Sequence, residues 1–289
     1  MERFNPLYLL IFVPKNLISY LVGQGVRLKF PYIMQCYINK AFIWLFNISM
    51  DEASQTLDSY VSIEEVFTRA LKQNSRKISG TYVSSADGTL QVSIGVAAAD
   101  EAVQAKGLNY KISELILGKK SQVNPTVIEA SWYTTVYLAP HNYHRVHAPF
   151  SGKLLKVRHI PGELWPVNSP AVRLIPKLFV RNERLVFDFE LEGGASAWVV
   201  MVGALNVGRM TTRFCPQFAT NSFNRQCLYS PEPQEISLVP AQVKAGEELG
   251  VFMLGSTTVV VLDEQARAML KPRAIQSRQP IKVGDNLSG

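Results

Sequence analysis

From about residue 80 onward the chain is cut into short apolar runs, rich in β-branched and aromatic residues and closed by glycine, proline or polar pairs. The runs at 81–84, 90–96, 132–138, 152–157, 185–191, 197–202, 251–253 and 257–262 have the length and composition of strands and are too often broken to be packed helices. Asp87-Gly88 is a good turn former ahead of the second of them. Before them, Ser62 with Glu65 three residues on makes a capping box that opens a short helix over Val66, Phe67 and Leu71. Residues 112–117 and 264–270 read as two more short helices, and 280–283 as a last strand. The expected class is therefore α+β: N-terminal amphipathic helices, then a mostly antiparallel β body of barrel or sandwich type. A chain of 289 residues, 47% hydrophobic and 18% charged, buries a full core as one large domain or two small ones.

Residues 1–50 differ from the rest. Arg3, Lys15, Arg27, Lys29 and Lys40 face a single acid, Glu2, among many large apolar side chains, Leu17, Leu21, Tyr32, Tyr37, Trp44 and Phe46 included. The apolar stretches at 7–13 and 31–50 are broken by Pro14-Lys15 and by Asn39, Lys40 and Asn47, short of the roughly 20 residues a membrane span needs. The terminus has the pattern of neither a secretory signal nor a transit peptide. Basic, aromatic-rich helix suits the interface of an anionic bilayer, with packing onto the rest of the protein as the competing reading. The polar run at 73–77 suggests a boundary, giving a helical, membrane-associating region at 1–75 and a β-rich catalytic body at 76–289. The net charge of +7 favours anionic partners, and the chain has no aromatic strand motif for nucleic acid. Cys36, Cys215 and Cys227 are too few and too scattered for a disulfide framework or a thiolate metal site.

Two stretches carry chemistry. In Phe252-Met253-Leu254-Gly255-Ser256-Thr257-Thr258, glycine permits close approach and a strained turn, so the Ser256 hydroxyl can attack the Gly255 carbonyl if a base takes its proton. That attack converts amide to ester, and elimination of the ester releases the upstream chain and leaves a dehydroalanine, which tautomerises and is hydrolysed by water, with loss of ammonia, to a pyruvoyl group. Gly-Ser-Thr is also ordinary turn chemistry. The stretch 141–149 holds three of the four histidines. His144 and His147 lack a third ligand for a metal, so no metal is expected; His141 suits a solvated loop and His147 a catalytic base. His159 is given no role. Arg181 and Arg184 are read as surface ion-pairing residues, with a phosphate contact as the lesser alternative.

Taken in order, Ala86-Asp87-Gly88, Tyr143-His144-Arg145-Val146-His147-Ala148-Pro149 and Leu254-Gly255-Ser256-Thr257 resemble the phosphatidylserine decarboxylase family, bacterial branch. Val66-Phe67-Thr68-Arg69-Ala70-Leu71, Lys106-Gly107-Leu108-Asn109-Tyr110, Arg181-Asn182-Glu183-Arg184 and Val202-Gly203-Ala204 agree, with Val66, Ala70 and Ala148 departing from the usual residues. The resemblance implies a self-cleavage triad of Asp87, His147 and Ser256, cutting between Gly255 and Ser256 into a large and a small chain. It implies a covalent pyruvoyl cofactor derived from Ser256, which forms a Schiff base with phosphatidylserine, and proton transfer by His144 during decarboxylation to phosphatidylethanolamine. It also implies a homodimer and a peripheral place on the cytoplasmic face of a bacterial membrane. The competing expectations are a pyruvoyl-dependent decarboxylase of a soluble amino acid, an uncleaved Ser-His-Asp hydrolase, and a non-catalytic membrane-surface protein.

Overall fold

The computed structural model describes residues 13–96, 100–105, 108–118, 128–205, 209–221, 232–236, 240–253 and 256–289. Leu254 and Gly255, residues 1–12, Lys106-Gly107 and Cys227 lie outside the described residues. Two helices come first, α1 (Lys15–Gly25) and α2 (Tyr32–Phe46), followed by the short α3 (Ile63–Phe67). The Ser62 hydroxyl caps α3 by accepting from the Glu65 amide, and Glu65 reaches back to the Val61 amide. The polar ladder of the body is antiparallel throughout its named strands. The main sheet runs in the order β10 (Gln234–Ile236), β6 (Gly152–Ile160), β7 (Arg184–Glu190), β8 (Ser196–Val202), β13 (Ser256–Asp263), β4 (Ala130–Leu138), β1 (Gly88–Gly95), β14 (Gln279–Ile281), and β11 (Ala241–Val243) also pairs with β6. A path that ends on β10 and β14 is an open sheet and not a closed barrel. A second sheet joins β5 (Arg145–His147), β12 (Glu248–Phe252) and β9 (Met210–Thr212); a hairpin pairs β2 (Glu101–Ala105) with β3 (Leu108–Lys111).

β13 is the hub. Thr257 to Leu262 are all buried and alternate between the two faces, with Ser256 opposite Leu138 on β4 and Thr257 between Tyr137 and Val202. The run of valines at 259–261 is what a strand buried on both sides needs. Helix α7 (Glu264–Leu270) follows, capped by Asp263, and packs back over β13 and β4. The terminal segment is stitched to the body as well: β14 pairs with β1, the Ser84 amide donates to the Asp285 carbonyl, and the Leu287 amide donates to that of Tyr82. The sequence-predicted strand at 81–84 is only a single bridge, Val83 to Asn286. The reason is that its backbone partners belong to the irregular C-terminal segment and not to a strand. Between β3 and β4 lies α4 (Ile112–Leu117), and before β7 come α5 (Ser169–Leu174) and α6 (Leu178–Arg181).

Helices α1 and α2 are inverted. On α2 the buried side chains are Gln35 and Asn39, at 3% and 0% exposure, whereas Ile33 and Tyr37 are 71% and Trp44 82% exposed. The inward polar pair is satisfied: Gln35 donates to Asn39 at 2.8 Å, and Asn39 donates to the Tyr60 carbonyl at 2.8 Å. On α1, Lys15 and Ser19 are buried while Leu17, Ile18 and Leu21 are exposed. Lys15 lies 4.1 Å over the Trp165 ring. Together with Leu28, Phe30, Tyr32, Met34, Leu45 and Phe46, the two helices present a large apolar face outward. An exposed apolar face of this kind marks an interaction surface.

Candidate active site

The three segments singled out in the sequence meet at Ser85. Its carbonyl accepts the His147 amide at 2.8 Å, and its hydroxyl donates to Thr258 at 3.2 Å, two residues beyond Ser256 on β13. Asp87 follows two residues later, at the start of β1. A Cβ on Gly88 would overlap the Tyr137 carbonyl, so glycine is what lets the start of β1, just after Asp87, lie this close to the neighbouring strand β4. Ser256 is the first residue of β13. Its side chain is fully buried, and Oγ has no hydrogen-bond partner among the described residues. A buried hydroxyl without a partner is costly, which makes it a candidate for chemistry and not for packing.

The carboxylate and the imidazole each hold other partners. Asp87 accepts from the Val283 amide at 2.8 Å through Oδ1 and from Arg76 at 2.7 Å through Oδ2. Arg76 also pairs with Glu52, and these two carboxylates outweigh burial in holding its guanidinium above the usual range. His147 donates from Nδ1 to the Gly246 carbonyl at 2.7 Å, which leaves Nε2 as the acceptor of the Tyr143 hydroxyl at 3.0 Å. Gly246 takes φ +84°, a conformation that glycine permits, and so turns its carbonyl toward the ring. Burial lowers the His147 imidazole below the ordinary histidine range, partly offset by the Gly246 hydrogen bond and then by Glu248 and Asp87. The ring is neutral at neutral pH, the form that can accept a proton.

His144 is different. It is fully buried, stacked 3.9 Å from the Phe67 ring, and its Nδ1 bonds the Asn142 carbonyl at 2.9 Å. Its Nε2 has no partner among the described residues, and burial depresses the imidazole to about 3. The Phe252 amide donates to the His144 carbonyl, tying this histidine to the strand that leads into Gly255. Because the folded value lies below the ordinary one near 6.5, His144 contributes stability that is complete above about pH 6.5 and lost as pH falls toward 3. Thermal melts from pH 7 to 4 should therefore show destabilisation on acidification. The slope should be shallower for His144→Gln, by up to about 1.4 kcal/mol per pH unit; equal slopes would contradict the buried neutral imidazole.

Several partners were not evident from the sequence. Tyr143 sits in the histidine block and has a polar handle, a signal that its spacing to His147 could have given. Arg76, Glu248 and the Gly246 carbonyl come from segments remote in sequence and carry no local signature. Arg181 and Arg184 turn out differently from the surface reading. Arg184 is fully buried and donates to the carbonyls of Leu115, Val180, Asn182 and Glu114, so it is neither a surface ion-pairing residue nor free for phosphate. Burial drops it to about 9. Arg181 binds Glu163 at 3.0 Å beside Trp165. His159, given no role, is buried against Glu183 at 2.9 Å. Among the described residues no group of three His, Cys, Asp or Glu side chains is clustered for a metal, and no helix is long and apolar enough to cross a membrane.

A cavity of about 310 Å³ is lined by Val22 of α1, Val26 just after it, Phe42 and Phe46 of α2, and Leu138, the register partner of Ser256. The site thus holds a serine without a hydrogen-bond partner among the described residues at the start of a buried strand, a histidine, His147, tied to that strand through Ser85, and an apolar cavity lined by the register partner of Ser256 and by the first two helices. The profile of the phosphatidylserine decarboxylase family matches residues 63–288. Proteins named phosphatidylserine decarboxylase proenzyme are similar along most of their length. The one from Psychrobacter arcticus is 37% identical over 260 residues, 89% of this chain and 88% of that protein. The one from Alcanivorax borkumensis is 35% identical over 263 residues, covering 87% and 85%. The one from Anaeromyxobacter sp. is 36% identical over 280 residues, covering 96% and 95%. The chain belongs to the phosphatidylserine decarboxylase family, and with it to the pyruvoyl-dependent carboxy-lyases.

Proposed function

We propose that the chain cleaves itself between Gly255 and Ser256 and, so matured, decarboxylates phosphatidylserine to phosphatidylethanolamine at a membrane surface. The observation that carries this reading is the Ser256 hydroxyl: buried, unpartnered among the described residues, and at the first residue of the central strand in a chain whose relatives are named proenzymes. In the first stage Ser256 is the nucleophile on the Gly255 carbonyl. His147 is the base, neutral at working pH, with Nδ1 fixed by Gly246 and Nε2 as the acceptor. Asp87 lies close enough to act on the imidazole through its charge and favours the imidazolium form as the proton arrives. Proton transfer to His147 requires the Tyr143 hydroxyl to give up Nε2 and Asp87 to loosen from Arg76.

Residue 256 fits a covalent pyruvoyl group, because its side chain already occupies a buried position that makes no hydrogen bond among the described residues, which conversion would sacrifice. Such a ketone supplies an electron sink for loss of carbon dioxide from an amine-bearing substrate. His144, buried and packed against the Phe67 ring, is the residue to which we give proton transfer during decarboxylation, as the family resemblance implies, with Nε2 the ring nitrogen left without a partner among the described residues. The small chain, 256–289, stays in place because β13 is paired on both sides and β14 is paired with β1.

The inverted helices support a lipid and not a soluble amino acid as substrate. We read residues 1–75 as the membrane-associating region and 76–289 as the catalytic body, with the chain peripheral on the cytoplasmic face of the membrane. The homodimer is carried forward from the family resemblance alone. Two measurements test this. Purified protein should release carbon dioxide from phosphatidylserine vesicles but not from free serine. Replacing Trp44 and Leu45 by serine should reduce co-sedimentation with anionic vesicles by about tenfold or more, since each exposed large side chain inserted into the interface is worth about 1.5–3 kcal/mol. The melting temperature should stay unchanged, because both side chains already face water. Binding that survives the double substitution would remove the membrane role from this face.

A further inference from the structure

A second cavity, of about 200 Å³, lies on the other side of α1 from the apolar one. Its described lining is Ser19, Tyr20, Gly23, Gln24, Arg27, Arg209 and Asn221: two arginines, four uncharged polar side chains, one glycine and no carboxylate. Glu64 takes the Nε of Arg27 at 2.7 Å. Arg209 has no carboxylate within ion-pair distance among the described residues, and its Nε is buried with no hydrogen-bond partner among them. Arg209 is half-buried, and a guanidinium nitrogen that has lost water without gaining an acceptor is costly. The donor set, planar and cationic, matches a phosphate oxygen pair.

Two further observations set this cavity against the reacting end of the molecule. The Met253 amide donates to the Arg209 carbonyl at 3.0 Å, and Met253 stands three residues before Ser256, a span of at most about 10 Å even when fully extended. Val22 and Val26 line the apolar cavity while Gly23 and Arg27 line this one, so the end of α1 and the turn that follows it stand between an apolar chamber and a cationic one. Leu205 and Arg209 repeat that division on the facing segment. The two chambers together have the polarity pattern of a glycerophospholipid, and in a serine phospholipid only two carbons and one oxygen separate the amine from the phosphorus.

We propose that this cavity binds the phosphodiester of the substrate lipid, with Arg209 as its principal ligand and Arg27 as the second cation. The inference deepens the decarboxylase reading and rests on it. Arg209 then holds the headgroup so that the amine reaches residue 256. As a binding residue that does not act on the bond being broken, it should set KM more than kcat.

The test uses the full chain, self-processed, on phosphatidylserine in uncharged detergent micelles, so that binding to an anionic surface plays no part. Arg209→Gln should still yield two chains by intact mass and raise KM by about tenfold or more with kcat little changed, while Arg209→Lys recovers part of the loss. Gln24→Glu, an exposed change that adds a carboxylate to the rim, should raise KM without touching the fold, and carries the test if Arg209→Gln does not mature. Phosphatidylglycerol, which shares the phosphodiester but lacks the amine, should compete with substrate in the wild type and lose that effect in the variants. Inorganic phosphate distinguishes a headgroup site from one for the free ion: weak competition is expected, and inhibition as strong as that of the lipid would reassign the cavity to free phosphate. Unchanged KM in both Gln24→Glu and an Arg209 variant, or activation by phosphatidylglycerol, would overturn the proposal. A wild-type chain that releases no carbon dioxide would instead strike at the decarboxylase reading itself.

Discussion

Ser256→Ala should remain one chain of 289 residues and release no carbon dioxide from phosphatidylserine. The substitution removes the only atom that can open the Gly255 carbonyl from within, and with it the source of the ketone. The usual objection to such an experiment, that the variant has simply misfolded, has a specific answer here. The Ser256 hydroxyl is buried and makes no hydrogen bond among the described residues, so alanine gives up nothing and relieves a desolvation cost of about 1 kcal/mol or more. The uncleaved variant should melt at or above the temperature of wild-type precursor trapped before processing. An alanine variant that is cleaved, or one that is cold-labile, would count against the role given to this residue.

The second large effect is expected at His147. Loss of a positioned general base slows a reaction by about 10²- to 10⁴-fold, and His147→Ala should mature that much more slowly while keeping its fold. Asp87→Asn should slow it in the same direction. It keeps an acceptor for the Val283 amide but loses the charge that favours the imidazolium and pairs with Arg76. The pH profile separates a base from a structural histidine. Because burial holds the imidazole below its ordinary value, the maturation rate should be flat above about pH 6.5 and fall only under it, as the ring takes up a proton before it is needed. A rate that keeps climbing through pH 8 would point to a different base. Tyr143→Phe removes the hydroxyl that occupies Nε2 and should leave maturation intact or faster. The time course of the two-chain product on a denaturing gel reads all four.

Much of this was legible in the chain itself, for physical reasons that differ from element to element. The run of β-branched residues that became β13 has the composition of a strand buried on both faces, the capping box at Ser62 announced α3, and the short runs at 112–117 and 264–270 announced α4 and α7. The three-residue strands β5, β9, β10 and β11 were not legible, because each exists only through the partner that tertiary folding brings to it. The direction in which α2 faces was also hidden. Its apolar residues surround most of the helix, and what turned Gln35 and Asn39 inward was a carbonyl at Tyr60, over twenty residues away in the chain. At the site, Ser256 stood out by the glycine before it and His147 by its type within the histidine block, whereas the roles given to Asp87 and His144 came from the family resemblance. That Asp87 is held by Arg76 and His147 by Tyr143 and Gly246 was not readable, since these contacts are fixed by packing and have no sequence period. The same holds for Arg209, an ordinary arginine in the sequence, whose interest comes from a buried nitrogen and a cavity with no carboxylate among its described lining residues.

Intact-mass measurement of freshly folded wild-type protein tests the central claim most directly. The expected result is two polypeptides, residues 1–255 and 256–289, with the smaller lighter by one ammonia than a serine-initiated fragment and resistant to stepwise sequencing from its amino end. A single folded polymer of 289 residues that still turns over phosphatidylserine, or a small fragment that begins with intact serine, would contradict it.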